Sequence, residues 1–236
     1  GDSQANDEMV KLALTQKRPV SGTVIITKEE LEKEGKDLAR QAYIKLIPTP
    51  KAKSTTKREE TSGMMIKAAA PMMNDTGDLI GILYGGKLLN RSYEIVDKIK
   101  DTVYQGEIYK GKEIGTATIF QDDLRISTNV KRVNGNRAIG TRVSDEVHKQ
   151  VLEDGSSWID RAFVVNNWYI TAYEPIRNIK DEIIGILYVG MLEEKFVDMK
   201  KSTMWTFLGI TFAGIVAVMI ISYFLGNGIL KPIQKL

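Results

Sequence analysis

The chain has 236 residues, with 33 Lys and Arg against 30 Asp and Glu; the net charge of +3 is too small to imply a nucleic-acid surface. It has no cysteine, which excludes disulfides, thiolate metal sites and covalently attached c-type haem. Its one histidine, His148, cannot build a zinc or facial-triad site unless several carboxylates converge on it, so no cofactor or metal is expected. The first eight residues, Gly1 to Glu8, are polar and carry no basic n-region or apolar h-region. They do not read as a signal peptide, and the chain is expected to begin inside a larger protein.

Gly22–Thr27 is a short β-rich run, and Lys28–Tyr43 is predicted helical, with Leu31, Leu38 and Ala42 on one stripe and Glu29 and Glu30 in the first turn. Ile44–Pro48 reads as a strand and Lys51–Glu60 as a polar loop. Met64–Met73 and Leu79–Leu88 form a hairpin around the turn signal Asn74-Asp75-Thr76-Gly77. Tyr93–Val103 places Ile95, Val96, Ile99 and Val103 at helical spacing, as a connecting helix would. Gly115–Phe120 and Leu124–Val130 are strands joined by Asp122-Asp123, a carboxylate pair expected to be solvated. Asn134-Gly135 marks the next turn. A helix over Ser144–Leu152 is capped by Ser144, ends near Gly155 and carries His148 as an exposed residue. Three strands follow, Trp158–Val165, Trp168–Ile176 and Ile183–Met191. Glu193–Lys201 then runs without a Gly or Pro into Thr203–Leu225.

That last stretch carries no charge from Met204 to Leu225. A run of roughly 20 apolar residues is long enough to cross a hydrocarbon core of about 30 Å as a helix. Lys200 and Lys201 flank it on one side, Lys231 and Lys235 on the other, and Trp205 and Tyr223 stand where interfacial aromatics belong. Pro232, just after Gly226-Asn227-Gly228, restarts a helix beyond the span.

An internal repeat precedes the span. Ile80-Gly81-Ile82-Leu83-Tyr84 recurs as Ile184-Gly185-Ile186-Leu187-Tyr188, and in the same register Pro71 matches Pro175, Gly86 matches Gly190 and Leu88 matches Leu192. The order strand, strand, helix, three antiparallel strands in the second half fits a PAS-like sheet. The fold class expected is α+β: two tandem PAS-like modules with antiparallel sheets, followed by a transmembrane helix.

These residues resemble the double Cache extracytoplasmic sensor region of bacterial or archaeal receptors, meaning histidine kinases and methyl-accepting chemotaxis proteins. The resemblance is carried by Gly115–Phe120, Arg125–Val130, Arg137–Arg142, Tyr169–Ile176 and Ile184–Gly190. Ile229-Leu230-Lys231-Pro232-Ile233-Gln234-Lys235-Leu236 looks like the opening of a HAMP domain. The resemblance implies a first, membrane-distal Cache module over 1–91 that is N-terminally incomplete, and a connecting helix and linker over 92–113. A second, membrane-proximal module follows over 114–195, then a juxtamembrane helix over 196–202, the span over 203–225 and the start of HAMP over 226–236. It also implies a homodimer in the plasma membrane, with residues 1–201 outside and 226–236 in the cytoplasm.

No Cys nucleophile, Gly-x-Ser-x-Gly elbow, His-Glu-x-x-His or phosphate-cradling loop is present, so an enzyme is not expected. Binding is, and the second module is its better host. Period-two alternation puts Tyr169, Thr171 and Tyr173 on one strand face. Such a face suits a small polar ligand, and equally suits tyrosines packed in a core with their hydroxyls reaching backbone or water. Arginine is the natural anchor for a carboxylate, and Arg125 and Arg161 lie inside apolar strands, although a strand arginine often faces solvent. Arg137 and Arg142 flank the loop before the helix, and Thr118, Thr128 and Asn129 complete the polar set; a slip of one residue in register would exchange the faces. In the first module only Arg40, Tyr43 and Lys67 stand out, among methionines and alanines that more often fill a core. The function expected is sensing of a small molecule, an organic acid, relayed through the membrane helix. The alternative is a membrane-anchored adhesion or assembly module without a ligand.

Overall fold

A computed structural model describes residues 7–225. Helix α1 (Glu8–Gln16) starts where the Asp7 carboxylate accepts from the Met9 and Val10 amides, an N-cap that fixes the helix entry. Strand β1 (Val20–Ile26) follows. The single helix expected over Lys28–Tyr43 is two, α2 (Lys28–Glu34) and α3 (Lys36–Ala42). A capping box between Thr27 and Glu30 starts α2, and Gly35 ends it by taking an extended backbone with φ 174°. The strand expected over Ile44–Pro48 shrinks to β2 (Ile44–Lys45), paired with β3 (Glu59–Glu60). Pro48 and Pro50 have no amide with which to continue a ladder. The intervening segment instead lies across residues 140–145, with Ile47 donating to the Gly140 carbonyl at 2.8 Å and Asp145 to that of Lys51 at 2.7 Å.

Strands β4 (Gly63–Met73) and β5 (Leu79–Leu88) form the expected hairpin. Asn74 Oδ1 accepts from the Thr76 and Asp78 amides, and Gly77 supplies the left-handed φ of +84° that closes the turn. Helix α4 (Glu94–Tyr104) and the short hairpin β6 (Ile108–Tyr109) and β7 (Lys112–Glu113) lead into β8 (Gly115–Gln121) and β9 (Leu124–Thr128). The helix expected over Ser144–Leu152 begins as α5 (Asp145–Val147), capped by Ser144, then widens into a π-helical segment, His148–Glu153. Strands β10 (Trp158–Val164), β11 (Asn167–Arg177) and β12 (Ile183–Leu192) complete a five-stranded antiparallel sheet ordered β10-β11-β12-β8-β9.

A second sheet, three-stranded and also antiparallel, is ordered β1-β4-β5. The repeat seen in the sequence is a repeat of backbone. β4 and β5 correspond residue for residue to β11 and β12: Pro71 pairs with Ile82 as Pro175 pairs with Ile186, and the irregularity at Met72/Met73 recurs at Ile176/Arg177. Outside it β1 stands to β4 as β10 stands to β11. The likeness stops there, because β12 is followed across the sheet by β8 and β9 and β5 has no such neighbour among the described residues.

The larger sheet is covered on both faces at its centre. Val96 of α4 packs with Ala117, Ile119 and Ile126 on one side. Val147 and Val151 pack with Phe120, Ile186 and Tyr188 on the other. Every residue of β8 and β9 is therefore buried. Two sequence expectations fail on this side. Asp123 is buried, because Arg142 grips both its oxygens, with Nε to Oδ1 at 2.9 Å and Nη2 to Oδ2. His148 is half-buried rather than exposed, with Nδ1 at 3.4 Å from the Asp123 carboxylate.

Residues up to Leu192 pack as one unit, and helix α6 (Glu193–Leu225) belongs to a second. α6 begins ten residues before the expected span. It is long and apolar enough to cross a membrane, and none of its side chains is buried. An uncharged stretch bare on every face is what a bilayer accommodates and water does not. The HAMP-like residues 226–236 lie outside the described residues.

Candidate functional site

The alternation read in β11 holds: Tyr169, Thr171 and Tyr173 are buried while Trp168 and Ile170 are exposed. Register then builds a row straight across the sheet, Trp158, Tyr173, Tyr188, Thr118 and Thr128, each opposite the next. Tyr173 and Tyr188 stack with centroids 4.8 Å apart. The Tyr188 hydroxyl bonds Thr116 Oγ1 at 2.9 Å and lies directly over Gly190, where a Cβ would come within 2.1 Å of it. Burial drives both phenols' pKa values up, that of Tyr173 to about 12, so they remain neutral hydrogen-bonding groups.

One row along stands Arg125, opposite Phe120 on β8. Only 4% of it is exposed, and its guanidinium carbon lies 5.1 Å from the Phe120 ring centroid. Among the described residues no acceptor reaches its Nε or Nη1. Loss of water lowers its pKa from the ordinary arginine range, opposed by the three tyrosines Tyr173, Tyr188 and Tyr169, yet arginine keeps its proton in proteins. A buried, incompletely bonded cation is costly, and it is worth keeping only where something else completes it.

Arg125 and Tyr173 line a cleft of about 720 Å³. Strand β10 forms one wall with Trp158, Asp160, Ala162 and Val164, and Thr141–Val147 forms the other with Arg142, Val143 and Val147. Residues 47–51 make the rim; they belong to the segment 46–58 between β2 and β3, a strap laid across residues 140–145. The lining carries the cations Lys51, Arg125, Arg132, Arg142 and Arg161 against the carboxylates Glu146 and Asp160 alone. Trp158 Nε1 is a second buried donor without an acceptor. Such a cleft, with apolar walls and a cationic floor, can desolvate a small anion and hold its carboxylate by charge-assisted hydrogen bonds.

Residues 87–203 match the family model described as Single cache domain 3. This part of the chain is a Cache domain. The match takes in α4, all five strands of the larger sheet and the whole cleft wall between β10 and α5, but it covers one module, not two. The expectation of a double Cache region is corrected accordingly. The unit before it shares only the helix-and-three-strand half of the Cache domain, and a sequence repeat confined to one hairpin does not carry β8 and β9 with it.

No curated protein matches the chain. Among solved structures, the periplasmic domain of Vibrio cholerae LuxQ is similar with a TM-score of 0.35 and 12% identity, covering 66% of this chain and 58% of that one. The chain thus spans little more than half the length of that relative. The extracellular domain of a protein described as a histidine kinase, rpHK1S-Z16, gives a TM-score of 0.32 and 9% identity over 82% of this chain and 79% of that chain.

Within the Cache domain the residues singled out from sequence separate into two groups. Arg125, Arg142, Arg161 and Tyr173 line the cleft, Arg142 while gripping Asp123 and Arg161 at the rim with its guanidinium 4.4 Å from the Trp168 ring centroid. The others hold the sheet together. Thr118 and Thr128 bond each other through their hydroxyls at 2.6 Å, Thr171 donates to the Asp160 carbonyl at 2.6 Å, and Asn129 Oδ1 accepts from the Ala117 amide. Tyr169 is buried in the core beside Leu192. Arg137 grips Asp97 of α4 with two bonds of 2.8 and 2.7 Å, donates to the Thr128 carbonyl and covers the Tyr93 ring. Sequence reasoning missed Trp158 and the strap. Trp158 was recoverable from its place opposite Tyr173, whereas the strap had no signal beyond two prolines.

Proposed function

We propose that the Cache domain binds a small organic acid in the cleft between β10 and α5, and that the chain is the ligand-sensing part of a membrane receptor. The observation that carries this reading is Arg125, a buried guanidinium at the cleft floor with two of its nitrogens unbonded. A ligand carboxylate supplies the missing acceptors, and Tyr173 and Trp158 line the same space. In this reading residues 1–201 lie outside the cell and 203–225 cross the membrane, leaving 226–236 in the cytoplasm as the start of a HAMP relay. The receptor acts as a homodimer. Ligand binding favours one of two arrangements of the sheet, and β12, whose last residue Leu192 directly precedes α6 in the chain, passes the difference on.

A thermal-shift screen of the full chain in detergent against a panel of mono-, di- and tricarboxylates tests this. At least one acid is expected to raise the melting temperature in a saturable way, and the shift is expected to vanish in Arg125→Gln. No shift across the panel would favour a purely structural, ligand-free module instead.

A further inference from the structure

The strap over 46–58 is charged in one sense only: Lys51, Lys53, Lys57 and Arg58 are its ionisable residues, and it has no carboxylate. Where Lys53 lands on the Cache domain the surface is acidic. Its ammonium donates to Glu153 Oε1 at 2.5 Å, and the charges of Asp145 and Asp122 act on it from either side.

His148 stands in the middle of this seat. Its Nε2 lies 3.2 Å from Lys53 Nζ and 3.4 Å from Glu153 Oε1, and its Nδ1 lies 3.4 Å from Asp123 Oδ2. An ammonium has no lone pair, so Nε2 meets Lys53 only as an acceptor, and the neutral ring then carries its proton on Nδ1, towards Asp123. A single added proton removes that acceptor. The other fastenings of the strap keep their charge between pH 5 and 8: the Ile47 amide on the Gly140 carbonyl, the Asp145 amide on that of Lys51, and Arg142 Nη1 on that of Lys53 at 2.5 Å.

The sign of the effect follows from where each charge stands. Asp122 and Asp123 belong to the turn between β8 and β9, Arg142 to the segment before α5, and Asp145, Lys149 and Glu153 to α5 and the π-helical segment. All of these are in place whether the strap is seated or lifted. The strap brings only cations, Lys53 to His148 and Lys57 towards Asp122, and through Lys53 it takes up Glu153. A proton on His148 sets like charges 3.2 Å apart, and lifting the strap separates them and frees Glu153 for the imidazolium. Seating of the strap and protonation of the ring therefore oppose each other.

We propose that His148 is a proton-operated latch for the strap: the neutral ring fastens it over the rim of the Cache cleft, and protonation below neutral pH unfastens it at Lys53 and opens the cleft. The latch does not depend on what the cleft binds.

Hydrogen exchange of the full chain in detergent, read by mass spectrometry on peptides within 46–58 and corrected for the intrinsic pH dependence of exchange, tests this. Wild-type protection of the strap is expected to fall about threefold or more between about pH 8 and pH 5.5, and by no more than about tenfold per pH unit, because one proton is linked. Peptides of β11 are expected to stay protected throughout. His148→Gln keeps an acceptor for Lys53 and does not titrate, so its strap is expected to remain as protected as that of wild type at the upper pH. Lys53→Met, at an exposed position, is expected to lower protection at the upper pH and to flatten the profile. If His148→Gln fails to fold, Lys53→Met alone decides. Strap protection independent of pH in wild type, a fall shared by β11, a fall that persists in His148→Gln, or an undiminished profile in Lys53→Met would overturn the proposal.

Discussion

Arg125 and Arg161 look alike in the sequence, each an arginine inside an apolar strand, and their surroundings separate them. β9 is buried on both faces, so Arg125 meets solvent only through the cleft, whereas β10 is an edge strand whose outer face is open and Arg161 is exposed. Periodicity reports which face a residue takes and not whether that face is covered, so the distinction was out of reach until α4 and α5 were in place. The contrast makes an uncommon expectation about stability. Arg125→Met removes an incompletely bonded buried charge and keeps the volume, so the unliganded protein is expected to melt at a higher temperature while losing its response to carboxylates. A lower melting temperature would mean that the protein alone already satisfies the guanidinium. Gly190 works in the opposite sense. Its alanine variant pushes a methyl into the Tyr188 hydroxyl, which cannot yield because Tyr173 and Thr116 hold it, and overpacking of this kind is expected to cost about 1–3 kcal/mol in chemical denaturation.

Among elements, α4 was legible from its apolar spacing, and its fastening was not. Arg137 was read as a residue able to reach into a pocket. In the fold it is a clip, planar and bidentate on Asp97, with its remaining capacity on the β9 carbonyl at Thr128. A double-mutant cycle of Arg137→Ala with Asp97→Ala is expected to give a coupling of about 1 kcal/mol, since the pair is partly screened, and Arg137→Lys is expected not to restore it. β3 offers a pH test. Burial alone would raise the Glu60 pKa, but hydrogen bonds from Lys57 and from the side chain and amide of Ser62 outweigh it and hold the carboxyl below its usual range. A carboxylate with a depressed folded pKa stabilises the fold above its unfolded value, near pH 4.3, and the contribution is lost as pH falls through the folded value. Glu60→Gln is therefore expected to be less stable than wild type at pH 7, with the gap closing as pH falls below about 4. A gap independent of pH would show that Glu60 acts through packing alone.

Across the whole molecule, the repeat and the apolar helix were both visible in the residues. Ile80–Tyr84 and Ile184–Tyr188 do occupy equivalent strands, and Thr203–Leu225 does lie in one continuous helix. The overreach was to let a hairpin stand for a domain. Strands β8 and β9 carry Thr, Ser, Arg and Gln in a fully buried setting, a pattern with no echo in the first half of the chain, and they distinguish the Cache domain from the unit before it. The strap over 46–58 joins the two, reaching from the smaller unit to form the rim of the Cache cleft, so occupancy of the cleft bears directly on both. At 33 residues α6 is about 50 Å long at 1.5 Å per residue, more than the roughly 30 Å hydrocarbon core requires. The full chain is accordingly expected to stay in the membrane pellet through alkaline carbonate extraction, and a version ending at Ser202 is expected to be released.

The central claim is that the Cache cleft recognises a carboxylate through Arg125. Isothermal titration of the full chain in nanodiscs with an acid found in the screen, and with its primary amide of the same shape, tests it most directly. The acid is expected to bind saturably to wild type and not to Arg125→Gln, and the amide to neither; equal affinity for acid and amide, or an undiminished affinity in Arg125→Gln, would contradict it.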